Sequence, residues 1–104
     1  MVSRLGGDEF AVVAREADAR AMSVLSERVL GEIRLAGATL ELPGFHLTAS
    51  VGWATCPADA DSVEDLIAVA DLCLRGAKGT GKDRVRSPRD WAPEVPVVAK
   101  PAPA

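Results

Sequence analysis

The residues best suited to chemistry lie at the start of the chain, where Arg4-Leu5-Gly6-Gly7-Asp8-Glu9-Phe10 sets two glycines and two carboxylates between apolar flanks. Residues 2–5 and 10–14 are strand-like, and Gly-Gly is a dipeptide that supplies positive φ in a tight hairpin. Asp8 and Glu9 then sit at the hairpin tip, where they cannot bury themselves. Adjacent carboxylates in such a place suit a hard divalent cation whose other positions are filled by phosphate oxygens. The competing reading is a plain acidic turn with solvated charge.

A second set of charges lies towards the other end. Between Arg75 and Asp90 stand six basic residues (Arg75, Lys78, Lys82, Arg84, Arg86, Arg89) against two acids, the reverse of the chain's overall balance. This is the one segment suited to an anion, although lysines at a solvated helix end, favoured by the helix dipole, would look the same. Residues 76–82 also match G-x-x-x-x-G-K. A P-loop is rejected, because Asp83 stands where that motif needs a hydroxyl and the segment ends a helix instead of opening one.

These charges need elements to hold them. Met22, Leu25, Val29 and Ile33 recur at helical spacing and predict a helix over residues 18–36, with Asp18 as N-cap, Gly37 at its end and that stripe in the core. Residues 38–42 and 45–54 flank Pro43-Gly44 and predict a second hairpin. In its longer arm Phe45, Leu47, Ala49, Val51 and Trp53 share one face, while His46, the only histidine, lies on the other and is read as an ordinary strand residue. Ser62 and Asp65 form a capping box for a second helix over residues 63–78, with Leu66, Ile67, Ala70, Leu74 and Ala77 as its stripe. Residues 84–86 offer a final strand before Pro88 stops regular structure. The expected fold is α+β, a mainly antiparallel sheet with two helices in the order ββαββαβ.

Composition narrows the function classes. A net charge of −3 gives no basic excess for nucleic acid, and no apolar run is long enough to span a membrane. No secretion signal follows Met1, so a cytoplasmic location is expected. Cys56 and Cys73 lack metal-ligand spacing and are read as reduced, structural thiols. Five of the seven prolines fall in residues 88–104, which reads as an extended, disordered Pro/Ala-rich tail behind a folded part of residues 1–87.

Arg4-Leu5-Gly6-Gly7-Asp8-Glu9-Phe10, continued by Ala11-Val12-Val13, resembles the signature of the GGDEF-domain diguanylate cyclases. Ser50-Val51-Gly52 is similar to that family's Ser-Ile-Gly strand, and the run from Ala70 to Asp83 to its segment from helix to last strand. The resemblance extends to about residue 87. It implies a nucleotidyl cyclase-like fold and the condensation of two GTP molecules into cyclic di-GMP with release of pyrophosphate, in bacterial second-messenger signalling. By the same resemblance Asp8 and Glu9 would hold Mg2+ or Mn2+ and serve catalysis. Gly6 and Gly7 would let GTP approach the backbone, Lys78 and Lys82 would contact phosphate, and two domains would meet face to face as a homodimer.

Three positions depart from the pattern: Arg75 stands for the usual Tyr, Lys82 for Arg and Asp83 for Asn. Lys keeps the charge without the bidentate fork, and Asp83 sets a like charge near an anionic ligand. The resemblance also begins in the middle of the family's domain. A further metal-binding Asp, the phosphate loop, the guanine contacts and the product-inhibition motif are expected ahead of Met1, and the first strand of the family's sheet with them. The chain alone is therefore expected to leave strand edges unpaired and to make no cyclic di-GMP unless a partner chain supplies the missing half. The alternatives are a non-catalytic remnant used in nucleotide sensing or protein binding, and an unrelated small α+β interaction domain with an acidic turn.

Overall fold

The computed structural model describes residues 1–91. Two strands open the chain, β1 at Val2–Gly6 and β2 at Glu9–Val12, paired antiparallel with Val2 opposite Val12 and Arg4 opposite Phe10. A bulge between Arg4 and Gly6 shifts the register, so that Gly6 faces Glu9 across the turn. Gly6 (φ 152°) and Gly7 (φ 53°) make that turn possible, since a side chain rarely adopts such φ values.

Helix α1, Ala19–Ala38, starts where Asp18 accepts the Ala21 N–H at 2.9 Å, as a capping residue should. Helix α2, Val63–Gly79, starts the same way with Ser62 accepting the Asp65 N–H at 3.1 Å. Between them lies β3, Ser50–Gly52, and after α2 comes β4, Arg84–Arg86. β3 and β4 pair in parallel, Val51 opposite Val85, and the Trp53 N–H extends the ladder to the Arg86 carbonyl at 3.1 Å. Helix α2 is the crossover that a parallel pair requires.

The order among the described residues is ββαβαβ, with one antiparallel and one parallel pair, and this corrects the expected ββαββαβ and its mainly antiparallel sheet. The second hairpin does not form. Its short arm is used up by the helix: α1 runs on through Gly37 to Ala38, and Leu40 and Glu41 fold back with N–H bonds to the Gly37 and Ala38 carbonyls. The Pro43-Gly44 turn exists, closed by Phe45 N–H to Leu42 O at 3.0 Å, yet no strand leaves it until Ser50. Gly37 does not cap the helix either. It is buried in it, and a Cβ there would strike Leu47.

Leu30, Trp53, Cys73 and Ala77 form the buried apolar core, where α1 and α2 meet the β3–β4 pair. The stripe expected on α1 lies at the edge of this core instead of its centre. Ser26, Leu30 and Gly37 point inward, while Met22, Leu25, Val29 and Ile33 are half-buried, because a two-stranded sheet is too narrow to cover both flanks of a helix. Gly52 permits the closest packing. A Cβ there would collide with the backbone N of Leu74 and O of Ala70.

Pro88 does not end regular structure. Pro88–Trp91 forms a 3-10 turn, in which Asp90 accepts the Ser87 N–H at 2.6 Å and Arg89 lies 5.8 Å from the centre of the Trp53 ring. The remainder of the expected tail lies outside the described residues. Among the described residues no helix is long and apolar enough to cross a membrane.

Candidate functional site

The hairpin turn is held by its own chain. Arg4 donates from Nε and Nη2 to the Gly7 carbonyl at 3.1 and 3.0 Å, so one guanidinium grips the carbonyl that would otherwise be free to rotate. Asp8 follows at the apex, exposed. Space around both glycines is open: a Cβ at Gly6 or Gly7 would meet nothing within 4 Å. A ligand could therefore come against the backbone of this turn without displacing protein atoms.

Glu9 leaves the turn towards α2, where its Oε2 lies 3.2 Å from Lys78 Nζ. Residues from opposite ends of the chain thus meet, an acid of the glycine-rich turn and a base of the anion-suited segment. Both side chains are about half-exposed, so the pair adds little stability and its groups stay open to exchange with an ionic ligand.

Lys82 follows the end of α2 in a tight turn. Thr80 caps the helix through its N–H and Oγ1 to the Gly76 carbonyl, and the Lys82 N–H returns to Ala77 O at 2.9 Å. Gly81, Lys82 and Asp83 carry φ of 129°, 60° and 50°. The Lys82 side chain enters no ion pair among the described residues. Asp83 is held by Arg34 of α1, at 2.8 Å, and Arg75 by Asp71 one turn back in α2, also at 2.8 Å.

The chain thus brings together Gly6, Gly7, Asp8, Glu9 and Lys78, and places Lys82 just beyond the helix end that carries Lys78. Sequence reasoning missed two arginines here. Arg4 stands in the motif without a task of its own in the sequence, although its position just before a glycine turn is a usable signal. Arg34 has no signal in the sequence, since its partner lies in a distant loop.

No group of three or more His, Cys, Asp or Glu side chains converges among the described residues. Asp8 and Glu9 are carboxylates of the kind Mg2+ could use, since that ion takes one or two and fills its octahedron with water and substrate phosphate. The thiols stand apart. Cys56 is exposed, and Cys73 is buried in the core with its pKa pushed up to about 11, by burial first and then by the Asp59 and Asp90 carboxylates.

Comparison with known proteins bears on the family of the chain. The family model described as "Diguanylate cyclase, GGDEF domain" matches residues 1–84. The Vibrio cholerae "Biofilm architecture maintenance protein MbaA" is 34% identical over 82% of this chain and 11% of its own length. "Cyclic di-GMP phosphodiesterase NbdA" of Pseudomonas aeruginosa is 32% identical over 83% of this chain and 11% of its own. "Diguanylate cyclase A" of Treponema denticola is 25% identical over 89% of this chain and 25% of its own. The chain spans a quarter or less of these relatives. No solved structure matches it. By its turn and by the family match over most of its length, the chain belongs to the GGDEF domain family.

Proposed function

We propose that this chain carries the metal- and phosphate-facing half of a diguanylate cyclase site, with a nucleotidyl cyclase-like fold. In that reaction two GTP molecules condense to cyclic di-GMP and two pyrophosphates. The observation that carries the reading is the meeting of the Gly6-Gly7-Asp8-Glu9 turn with Lys78, 3.2 Å from Glu9. An acid pair beside a base is the arrangement that can hold a cation and a triphosphate side by side.

Asp8 and Glu9 hold the cation, Mg2+ or Mn2+. When bound, it stabilises the negative charge that builds on phosphate oxygen as the bond to pyrophosphate breaks. Asp8 also faces the attacking 3′-hydroxyl and favours loss of its proton. Gly6 and Gly7 let the nucleotide approach the backbone, and Lys78 and Lys82 offset the charge of the triphosphate. Each domain holds one GTP, so the two reacting nucleotides meet where two domains face each other in a homodimer, in the cytoplasm. Residues 1–87 act as the folded portion of one such domain and residues 88–104 as its tail. These residues alone make no cyclic di-GMP, because two carboxylates and two lysines leave the guanine uncontacted.

A second reading has specific support. One similar protein is named as a cyclic di-GMP phosphodiesterase, and Arg75, Lys82 and Asp83 depart from the cyclase pattern, which favours a domain that senses nucleotide or binds protein without making product.

The test uses the natural full-length protein with GTP and Mg2+, with cyclic di-GMP measured by mass spectrometry. Asp8→Ala is expected to lower synthesis at least about 100-fold without changing the melting temperature. Full activity in that variant would refute the metal assignment. GTP binding without synthesis in the unaltered protein would select the second reading.

A further inference from the structure

The departure at Asp83 needs an explanation, because a carboxylate beside a phosphate-facing lysine opposes its task. Arg34 answers that charge. From the far half of α1 it makes two bonds to the same residue, Nε to Asp83 Oδ1 at 2.8 Å and Nη2 to the Asp83 main-chain carbonyl at 3.2 Å. One bond takes the charge and the other takes the backbone.

The backbone there needs holding. Lys82 and Asp83 both lie in the left-handed region, at φ 60° and 50°, where a Cβ is crowded and from which an unrestrained chain would relax. Arg84 holds the other side of the turn, its Nε donating to the Lys82 carbonyl at 3.0 Å. Asp83 therefore sits between two arginine-held carbonyls, that of Lys82 before it and its own, and Lys82 adjoins this held stretch with its ammonium in no ion pair among the described residues.

We propose that Arg34 is a positioning residue of the phosphate site: it neutralises Asp83 and fixes the left-handed turn, so that Lys82 is the cation presented to the triphosphate. This rests on the reading of Lys82 as a phosphate ligand given above. Arg34 touches no reacting group. It converts an unfavourable acid into an anchor, and the acid and the arginine work as a pair.

The experiment measures the GTP dissociation constant, with Mg2+, and the melting temperature in the natural full-length protein and four variants: Lys82→Ala, Arg34→Ala, Asp83→Asn and Arg34→Ala/Asp83→Asn. Arg34→Ala is expected to weaken GTP about fivefold, since it releases Asp83 beside the ligand. The double variant is expected to recover GTP binding to within about twofold of the unaltered protein, because Asn carries no charge and tolerates the left-handed turn. Its melting temperature should stay as low as that of Arg34→Ala. A purely structural role would leave the double variant as weak in binding as Arg34→Ala, and that result overturns the proposal. Unchanged binding in Arg34→Ala, with Lys82→Ala weakened, overturns it too while leaving the Lys82 reading intact. Unchanged binding in Lys82→Ala, or no GTP binding at all, overturns both.

Discussion

The opening hairpin and the unit formed by α1, β3, α2 and β4 are built on opposite terms. The unit buries Leu30, Trp53, Cys73 and Ala77 and brings helix backbone against strand at Gly52. In the hairpin Val2, Leu5, Phe10 and Val12 are all exposed, and its strands are joined by their own ladder, by the Met1 amine and Val13, and by the Arg4 grip. Its recorded ion pair to the rest is Lys78 with Glu9. Four candidate site residues, Gly6, Gly7, Asp8 and Glu9, thus sit on the part that contributes least to the core, while Lys78 and Lys82 stand on the exposed end of α2 and just beyond it. Substitutions at these exposed positions should change function at little cost in stability, and substitutions at the buried positions of the unit should do the reverse.

The strongest way to break this contrast is to place the same substitution in both regions. Gly52→Ala should cost roughly 3 kcal/mol or more, since its Cβ meets backbone that cannot move aside. Gly7→Ala should cost about 1 kcal/mol, for positive φ alone, because the space around it is open. Equal losses in urea unfolding would mean that the two regions are not so different.

The next effect is one of pH. In the folded chain the Cys73 thiol keeps its proton to about pH 11, whereas its ordinary value is 9.0. Between these values the unfolded state has lost the proton that the folded state retains, so stability falls as pH rises. That contribution is complete below pH 9 and lost by about pH 11. Unfolding free energies at pH 8 and 10.5 should differ less in Cys73→Ala than in the unaltered protein. Iodoacetamide at pH 8 should alkylate exposed Cys56 and spare Cys73 until the unit unfolds.

The smallest effect belongs to the joint between the regions. Glu9→Gln should lower stability by no more than about 1 kcal/mol, with the difference fading in high salt. Amide exchange should then quicken in the hairpin and stay unchanged in α2. A loss above that size would show that the ion pair is worth more than an exposed pair can be.

Local signals carried the reading of the sequence well. The caps at Asp18 and Ser62, the Gly-Gly turn and the strand at residues 84–86 are each written in a few neighbouring residues. The second hairpin failed because its turn was real while its arms were claimed by other contacts: residue 38 by the helix, residue 47 by Gly37, and Ser50–Gly52 by a parallel partner more than thirty positions on. Long-range pairing also hid part of the candidate site. Glu9 and Lys78 could each be named from the sequence, while their contact, and that of Arg34 with Asp83, comes from the fold.

Helix α2 is fastened at both ends. Residues 80–83 lead from it to β4 under bonds from Thr80, Lys82, Asp83 and Arg84. Residues 53–62 lead into it through a closed loop, in which Asp59 Oδ2 accepts from the Thr55 N–H at 2.8 Å and from Thr55 Oγ1 at 3.1 Å, and the Asp59 N–H donates to the Thr55 carbonyl at 2.8 Å, with residues 56–58 exposed between them. One residue gained or lost in 80–83 would rotate the last turn of the helix against the strand, and one in 56–58 would open the Thr55–Asp59 loop. The chain is thus held to its count on both sides of α2, before its first turn as well as after the end that bears the lysines.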